Sequence, residues 1–146
     1  FQELLFVLMQ ILHKEKLAYM ETLQYFCSHQ RENMEGQPIT IVLSDEAKTF
    51  IKLQPLKAQQ KIYYNIFKVE GGVMDKELFK KLDNSEIWEL RTLFNGICYR
   101  LFAFWDNEIK AMVVVTHGII KKTQKTPKKE IEKAERIRQE YFKDKK

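Results

Sequence analysis

Cysteine is nearly absent from this chain, and glycine and proline are scarce: two, five and three residues among 146. Cys27 and Cys98 stand far apart without metal-type spacing, and Cys98 falls inside a strand-like run. Neither a disulfide framework nor a zinc site is implied, and a reduced, cytoplasmic setting is expected. An uninterrupted apolar stretch of bilayer length is also missing. The most apolar segment, Phe1 to Leu12, is broken by Gln2, Glu3 and Gln10 and is too short to span a membrane. It has no basic flank before it and no small-residue cleavage site after it, so it does not read as a signal peptide. Internal repeats and low-complexity segments are lacking too.

What the chain does contain is apolar and basic material. At 45% hydrophobic and 31% charged, 146 residues suffice for one well-formed core. The formal net charge of +5 is concentrated at the end, where residues 121–146 hold eleven Lys or Arg against five Asp or Glu. With a sequence pI near 9.1, such a tail suits nucleic acid or another polyanion, and a solvated charged helix accounts for it equally well.

Composition changes around Met34-Glu35-Gly36-Gln37-Pro38. The expected organisation is a helical segment over residues 1–33, either a genuine extension or a stretch upstream of the native start, and a self-sufficient domain over residues 34–146. Within that domain, Ile39 to Leu43 reads as a strand, and Ser44 caps a helix whose first turn holds Asp45 and Glu46. Gln54-Pro55 separates it from a second helix that turns Leu56, Ile62, Tyr63, Ile66, Phe67 and Val69 inward and ends at Gly71-Gly72. Met74 to Asp83 reads as a further helical turn. Three antiparallel strands follow, then a last helix with Thr126 as its cap and Pro127 in its first turn, carrying Ile131, Ala134, Ile137 and Tyr141 at helical spacing. The class is α+β: an N-terminal strand and helix hairpin packed on a small, mainly antiparallel sheet with a C-terminal helix.

Asn95-Gly96 is the strongest local signal, a type I′ hairpin turn that fixes pairing as Phe94 with Ile97, Leu93 with Cys98, Thr92 with Tyr99 and Arg91 with Arg100. Two arginines directly opposite each other are unfavourable by up to about 1 kcal/mol. An anion is therefore expected beside them, either Glu89 or a ligand. A tight turn at Asp106-Asn107 would set Arg100 opposite Val113. Glu89, Arg91, Arg100, His117 and Lys121 would then share one surface, and Trp88, Leu90, Tyr99, Leu101, Ala103, Met112 and Val114 would face the core.

The blocks Trp88-Glu89-Leu90-Arg91, Gly96 to Phe102, Val115-Thr116-His117-Gly118, Lys121-Lys122-Thr123 and Lys125-Thr126-Pro127, with Glu130-Ile131 and Ala134, stand in an informative order. In this the chain resembles the RelE/ParE toxin superfamily over roughly residues 38–142, most closely the HigB-like, phage-derived branch. The resemblance implies a RelE-like fold and the toxin of a type II toxin-antitoxin pair. The implied activity is that of a metal-independent, cofactor-free, ribosome-dependent mRNA endoribonuclease, a cytoplasmic inhibitor of translation. The implied partners are mRNA, the ribosome and a helix-turn-helix antitoxin, with no membrane.

Carried onto this sequence, the resemblance implies that Arg100 stabilises transition-state charge, Arg91 positions the phosphate and Lys121 assists at the end of the strand. His117 would shuttle a proton. RNA binding falls to Lys122, Lys125, Glu89 and Tyr141. Each residue has a plainer structural reading: Arg100 paired with Glu89, His117 as a satisfied core histidine, the lysines solvated and the Tyr141 ring buried. Two other functions fit the same fold, a ParE-like poison of DNA gyrase and a non-catalytic binding module that docks through its basic tail.

Overall fold

The computed structural model describes residues 39–146; the expected segment over residues 1–33, Cys27 and the start at Met34 lie outside the described residues. A five-stranded sheet forms the middle layer, with strand order β1-β5-β4-β3-β2. β1 (Thr40–Leu43) runs parallel to β5 (Met112–Lys121). β4 (Ile97–Trp105), β3 (Trp88–Phe94) and β2 (Phe79–Lys81) continue antiparallel from it. The expected α+β class, with its helix hairpin and C-terminal helix, is what forms.

Local chemistry accounts for the helix starts. The Ser44 hydroxyl accepts from the Ala47 N–H at 3.1 Å, capping α1 (Asp45–Lys52), and donates to the Thr116 carbonyl at 2.6 Å. One side chain thus both begins a helix and ties it to β5. α2 (Leu56–Glu70) follows Pro55 and ends at Gly71, with Ala58, Ile62, Ile66 and Val69 buried and Leu56, expected to point inward, exposed. Buried Asn65 on α2 donates to the Thr92 hydroxyl at 3.0 Å, fixing the helix under β3.

The first hairpin has the expected register throughout, and both turn residues take positive φ, +52° at Asn95 and +77° at Gly96. The second differs from expectation. Asp106 turns its carboxylate back onto the Glu108 and Ile109 N–H groups at 2.7 and 2.8 Å, which opens a longer loop in place of a two-residue turn. Arg100 consequently pairs with Ile119, not Val113. A bulge then changes the pairing from Phe102–His117 to Ala103–Val115, leaving Thr116 unpaired between them. The extra residue inverts the alternation, so Val113 and Val115 enter the main core while Met112 and Val114 turn to the opposite face.

Two cores result. On one face Leu90, Tyr99, Leu101, Val113 and Val115 meet the apolar stripes of α1 and α2. On the other, Ile87, Phe102, Phe104 and Val114 are covered by Ile131, Ala134, Tyr141 and Phe142 of α3 (Lys128–Asp144). Gly118 allows the first packing, because a Cβ there would stand 2.2 Å from the Phe50 ring and 2.7 Å from Leu101. Met74 to Asp83, expected to be helical, instead supplies β2, which pairs with β3 at the edge of the sheet. Among the described residues no helix is long and apolar enough to cross a membrane.

Candidate functional site

The face carrying α3 is ordered in rows across the central strands. In the first row Glu89 lies opposite Phe102, and Phe102 opposite His117. The second places Arg91 opposite Arg100 and Arg100 opposite Ile119, and the third runs Leu93, Cys98, Lys121. The start of α3 closes over the first row, where the Thr126 hydroxyl donates to Glu89 Oε2 at 2.8 Å and Glu130 Oε2 lies 2.9 Å from His117 Nε2.

Glu89 is the anion that the opposed arginines require. Its side chain is only 2% exposed, and its Oε1 lies 3.4 Å from Arg91 Nε and 3.5 Å from Arg100 Nε. The geometry at both Nε atoms falls short of a hydrogen bond, so two buried donors share one carboxylate oxygen without satisfying themselves on it. Glu89 thus faces two guanidinium groups and, close by, the Lys121 ammonium, with the exposed Glu77 carboxylate a second anion at the Arg91 Nη1 end. Burial lowers the Arg100 pKa, Glu89 opposes that effect, and Arg91 reinforces it. Burial likewise lowers the Lys121 pKa, with Glu89 opposing and Arg100 and Arg91 adding to the fall. The site holds excess positive charge in a poorly solvated place. Such a site favours a phosphate that can take several donors at once.

Other expected site residues fall elsewhere. His117 is on the same face but buried, stacked on Phe102 at 4.8 Å between ring centroids, with Nδ1 2.8 Å from the Thr116 hydroxyl. Burial lowers its pKa against the opposing hydrogen bond to Glu130, whose Oε2 lies 2.9 Å from Nε2, while the Thr116 hydroxyl beside Nδ1 also donates to the Phe102 carbonyl at 3.2 Å. Both ring nitrogens are thus occupied by protein partners and the ring is buried. Tyr141 sits at the other end of the sheet, packed on Phe104 and donating to Asp106 at 2.6 Å. Five residues of β4, about 17 Å of strand, separate Arg100 from that end. Lys122 and Lys125 are exposed on the link to α3.

Thr126 is a site residue that its sequence context concealed, since its position before Pro127 suggests a helix cap. In the structure Pro127 occupies the cap position without a side-chain hydrogen bond, and the Thr126 hydroxyl is spent on Glu89. Glu77, 3.8 Å from Arg91 Nη1, is a second unforeseen neighbour. Among the described residues no group of three or more His, Cys, Asp and Glu side chains converges as a metal-binding cluster.

Residues 49–139 match the family described as Phage derived protein Gp49-like (DUF891), and the chain belongs to that family, one of the RelE-type toxins. Among solved structures, a chain of the toxin-antitoxin complex RelBE2 from Mycobacterium tuberculosis is similar at 17% identity, covering 57% of this chain and 99% of that chain with a TM-score of 0.39. No curated protein matches the sequence.

Proposed function

We propose that this protein is the toxin of a type II toxin-antitoxin pair and acts as a ribosome-dependent mRNA endoribonuclease. The observation that carries the reading is the Arg91–Arg100 pair, held through Nε against one buried carboxylate oxygen. Both Nε atoms are left without a hydrogen bond. Family membership supplies the class; this pair supplies the chemistry.

In the proposed step the RNA 2′-hydroxyl attacks the adjacent phosphorus. The O2′–P bond forms and the P–O5′ bond breaks, giving a 2′,3′-cyclic phosphate and a 5′-hydroxyl. Arg100 takes up the charge that grows on the non-bridging oxygens, and Arg91 holds the phosphate in register. Lys121, whose ammonium is destabilised by burial and by Arg100 and Arg91, gives its proton to the leaving oxygen, while the 2′-hydroxyl proton passes to water. Lys122 and Lys125 hold the flanking backbone. Glu89, with Thr126 behind it, positions the arginines and does not itself bind RNA. His117 and Tyr141 seat α3. A small helix-turn-helix antitoxin, expected from the family, silences the protein.

The test is induction of the full chain in cells without its antitoxin, followed by mapping of mRNA 5′ ends. New ends inside translated regions, lost when translation is blocked, are expected. Intact mRNA together with double-strand DNA breaks would replace this reading with gyrase poisoning, and growth arrest with neither would leave a binding module.

A further inference from the structure

The row beyond the arginines has a different chemistry. Two residues further along each strand, about 7 Å, come Leu93, Cys98 and Lys121, with Leu93 paired to Cys98 and Cys98 to Lys121. By strand alternation Leu93 lies on the same side as Glu89 and Arg91. Hydrogen bonds from Thr126, just before α3, and from Glu130 on it tie the helix start to the first row, and Ile119 of the second row packs in the core that α3 covers, which does not include Leu93 or Cys98. Leu93 accordingly remains 66% exposed, and Cys98 and Lys121 are partly open.

This is a small apolar shelf bounded by cations. A phosphate seated on Arg91 and Arg100 carries its nucleoside outward at about the spacing between these two rows, and the uncovered direction is the one toward Leu93. Buried deeper, the same phosphate would bring its base against Phe102 and His117, which stack on each other and leave no room. We propose that Leu93 and Cys98 form the rest for the nucleobase next to the scissile phosphate, with Lys121 at the end of the row; this deepens the RNA-cleaving reading of the same site and rests on it.

The leucine methyls and the polarisable Cys98 sulfur press on the face of a base and offer its edges no strong hydrogen bond. The shelf therefore responds to whether a base is present and how large it is, and hardly to which base it is. Purines, with the larger face, are held better than pyrimidines at this position.

The experiment uses the full chain on purified ribosomes programmed with a defined mRNA, in two forms that differ only by an abasic nucleotide beside the cleaved phosphate. Cleavage is compared for the wild type, Leu93→Ser, Leu93→Met and Arg100→Ala. The wild type should lose roughly tenfold on the abasic mRNA, the order expected when about half a leucine side chain loses its apolar contact. Leu93→Ser should lose about as much on the intact mRNA and nothing more on the abasic one, because shelf and base act as a pair. Leu93→Met should stay within about threefold of the wild type, since the swap nearly conserves volume.

Thermal unfolding of Leu93→Ser should match the wild type, as the side chain is largely exposed. Leu93→Ser cleaving like the wild type, or the two losses multiplying, overturns the shelf while an inactive Arg100→Ala leaves the arginine site standing. Cleavage by Arg100→Ala at the wild-type rate, or no cleavage by the wild type, overturns the underlying reading and the shelf with it.

Discussion

Replacing Arg100 with alanine is expected to lower mRNA cleavage by about 10²–10³-fold, the usual cost of removing one preorganised donor from a developing oxyanion, and to abolish growth arrest on induction. The fold should survive. Glu89 would keep Arg91 at 3.4 Å and the Thr126 hydroxyl at 2.8 Å, so no buried carboxylate is left alone. The repulsion between the opposed guanidinium groups, up to about 1 kcal/mol, disappears with the substitution and offsets lost packing. A melting temperature within a few degrees of the wild type, together with lost cleavage, is therefore the signature of a residue kept for chemistry. Arg100→Lys separates charge from geometry: the ammonium keeps the charge but loses the planar fork, so it should recover only a small part of the rate. Single-turnover cleavage on programmed ribosomes measures all three proteins.

Asp106→Ala is expected to cause the largest loss of stability, lowering Tm by roughly 10–20 °C, the scale of leaving two or three donors without an acceptor in a domain of about a hundred residues. The Asp106 side chain is fully covered and accepts from the Glu108 and Ile109 N–H groups, the Tyr141 hydroxyl and the Lys145 ammonium. It thus joins the β4–β5 loop to the end of α3. Burial alone would push its carboxyl up; the Lys145 and Tyr141 hydrogen bonds and the two backbone N–H groups outweigh that and hold its pKa far below the usual carboxylate range. The sign for stability follows. The unfolded chain takes up this proton first, so the contribution is fully present above about pH 4 and fades as pH falls from there toward the depressed native value. Wild-type Tm should fall more steeply below pH 4 than that of Asp106→Asn, which has no such proton to gain; parallel Tm profiles for the two proteins would deny Asp106 this role.

How far the sequence could be read depended on the range of the interaction that decided each element. Asn95-Gly96 acts on its immediate neighbours, so the first hairpin and the Arg91–Arg100 pair were legible to the residue. An anion beside them was legible for the same reason, as either Glu89 or a ligand, and the structure places Glu89 there. The β4–β5 loop was not, because Asp106 has two possible roles, turn residue or acceptor for its own loop and α3, and the second depends on Tyr141, 35 residues away. The pairing slipped by an even number of residues, which kept His117 and Lys121 on the expected face. The Thr116 bulge then exchanged Val113 and Val115 for Met112 and Val114, an inversion that an unbroken apolar run cannot reveal.

Long-range placement also decided the remaining residues. Thr126 has the sequence context of a cap, yet its hydroxyl finds Glu89, 37 residues earlier. β2 is three residues long, too short for any alternation to show. His117 lies within β5, and only the packing of Glu130 and Phe102 around it shows that its ring is enclosed.

The most direct measurement of the central claim is the side-chain Nε–H spectrum of the ¹⁵N-labelled protein, titrated with a short oligoribonucleotide made uncleavable by a 2′-deoxy residue at the target position. Arg91 and Arg100, whose Nε atoms are buried and without a hydrogen bond, should shift together and saturate at one RNA concentration, while Arg136 and Arg138 on α3 stay in place. Shifts confined to Arg136 and Arg138, with the Arg91 and Arg100 signals unmoved at saturating RNA, would contradict it.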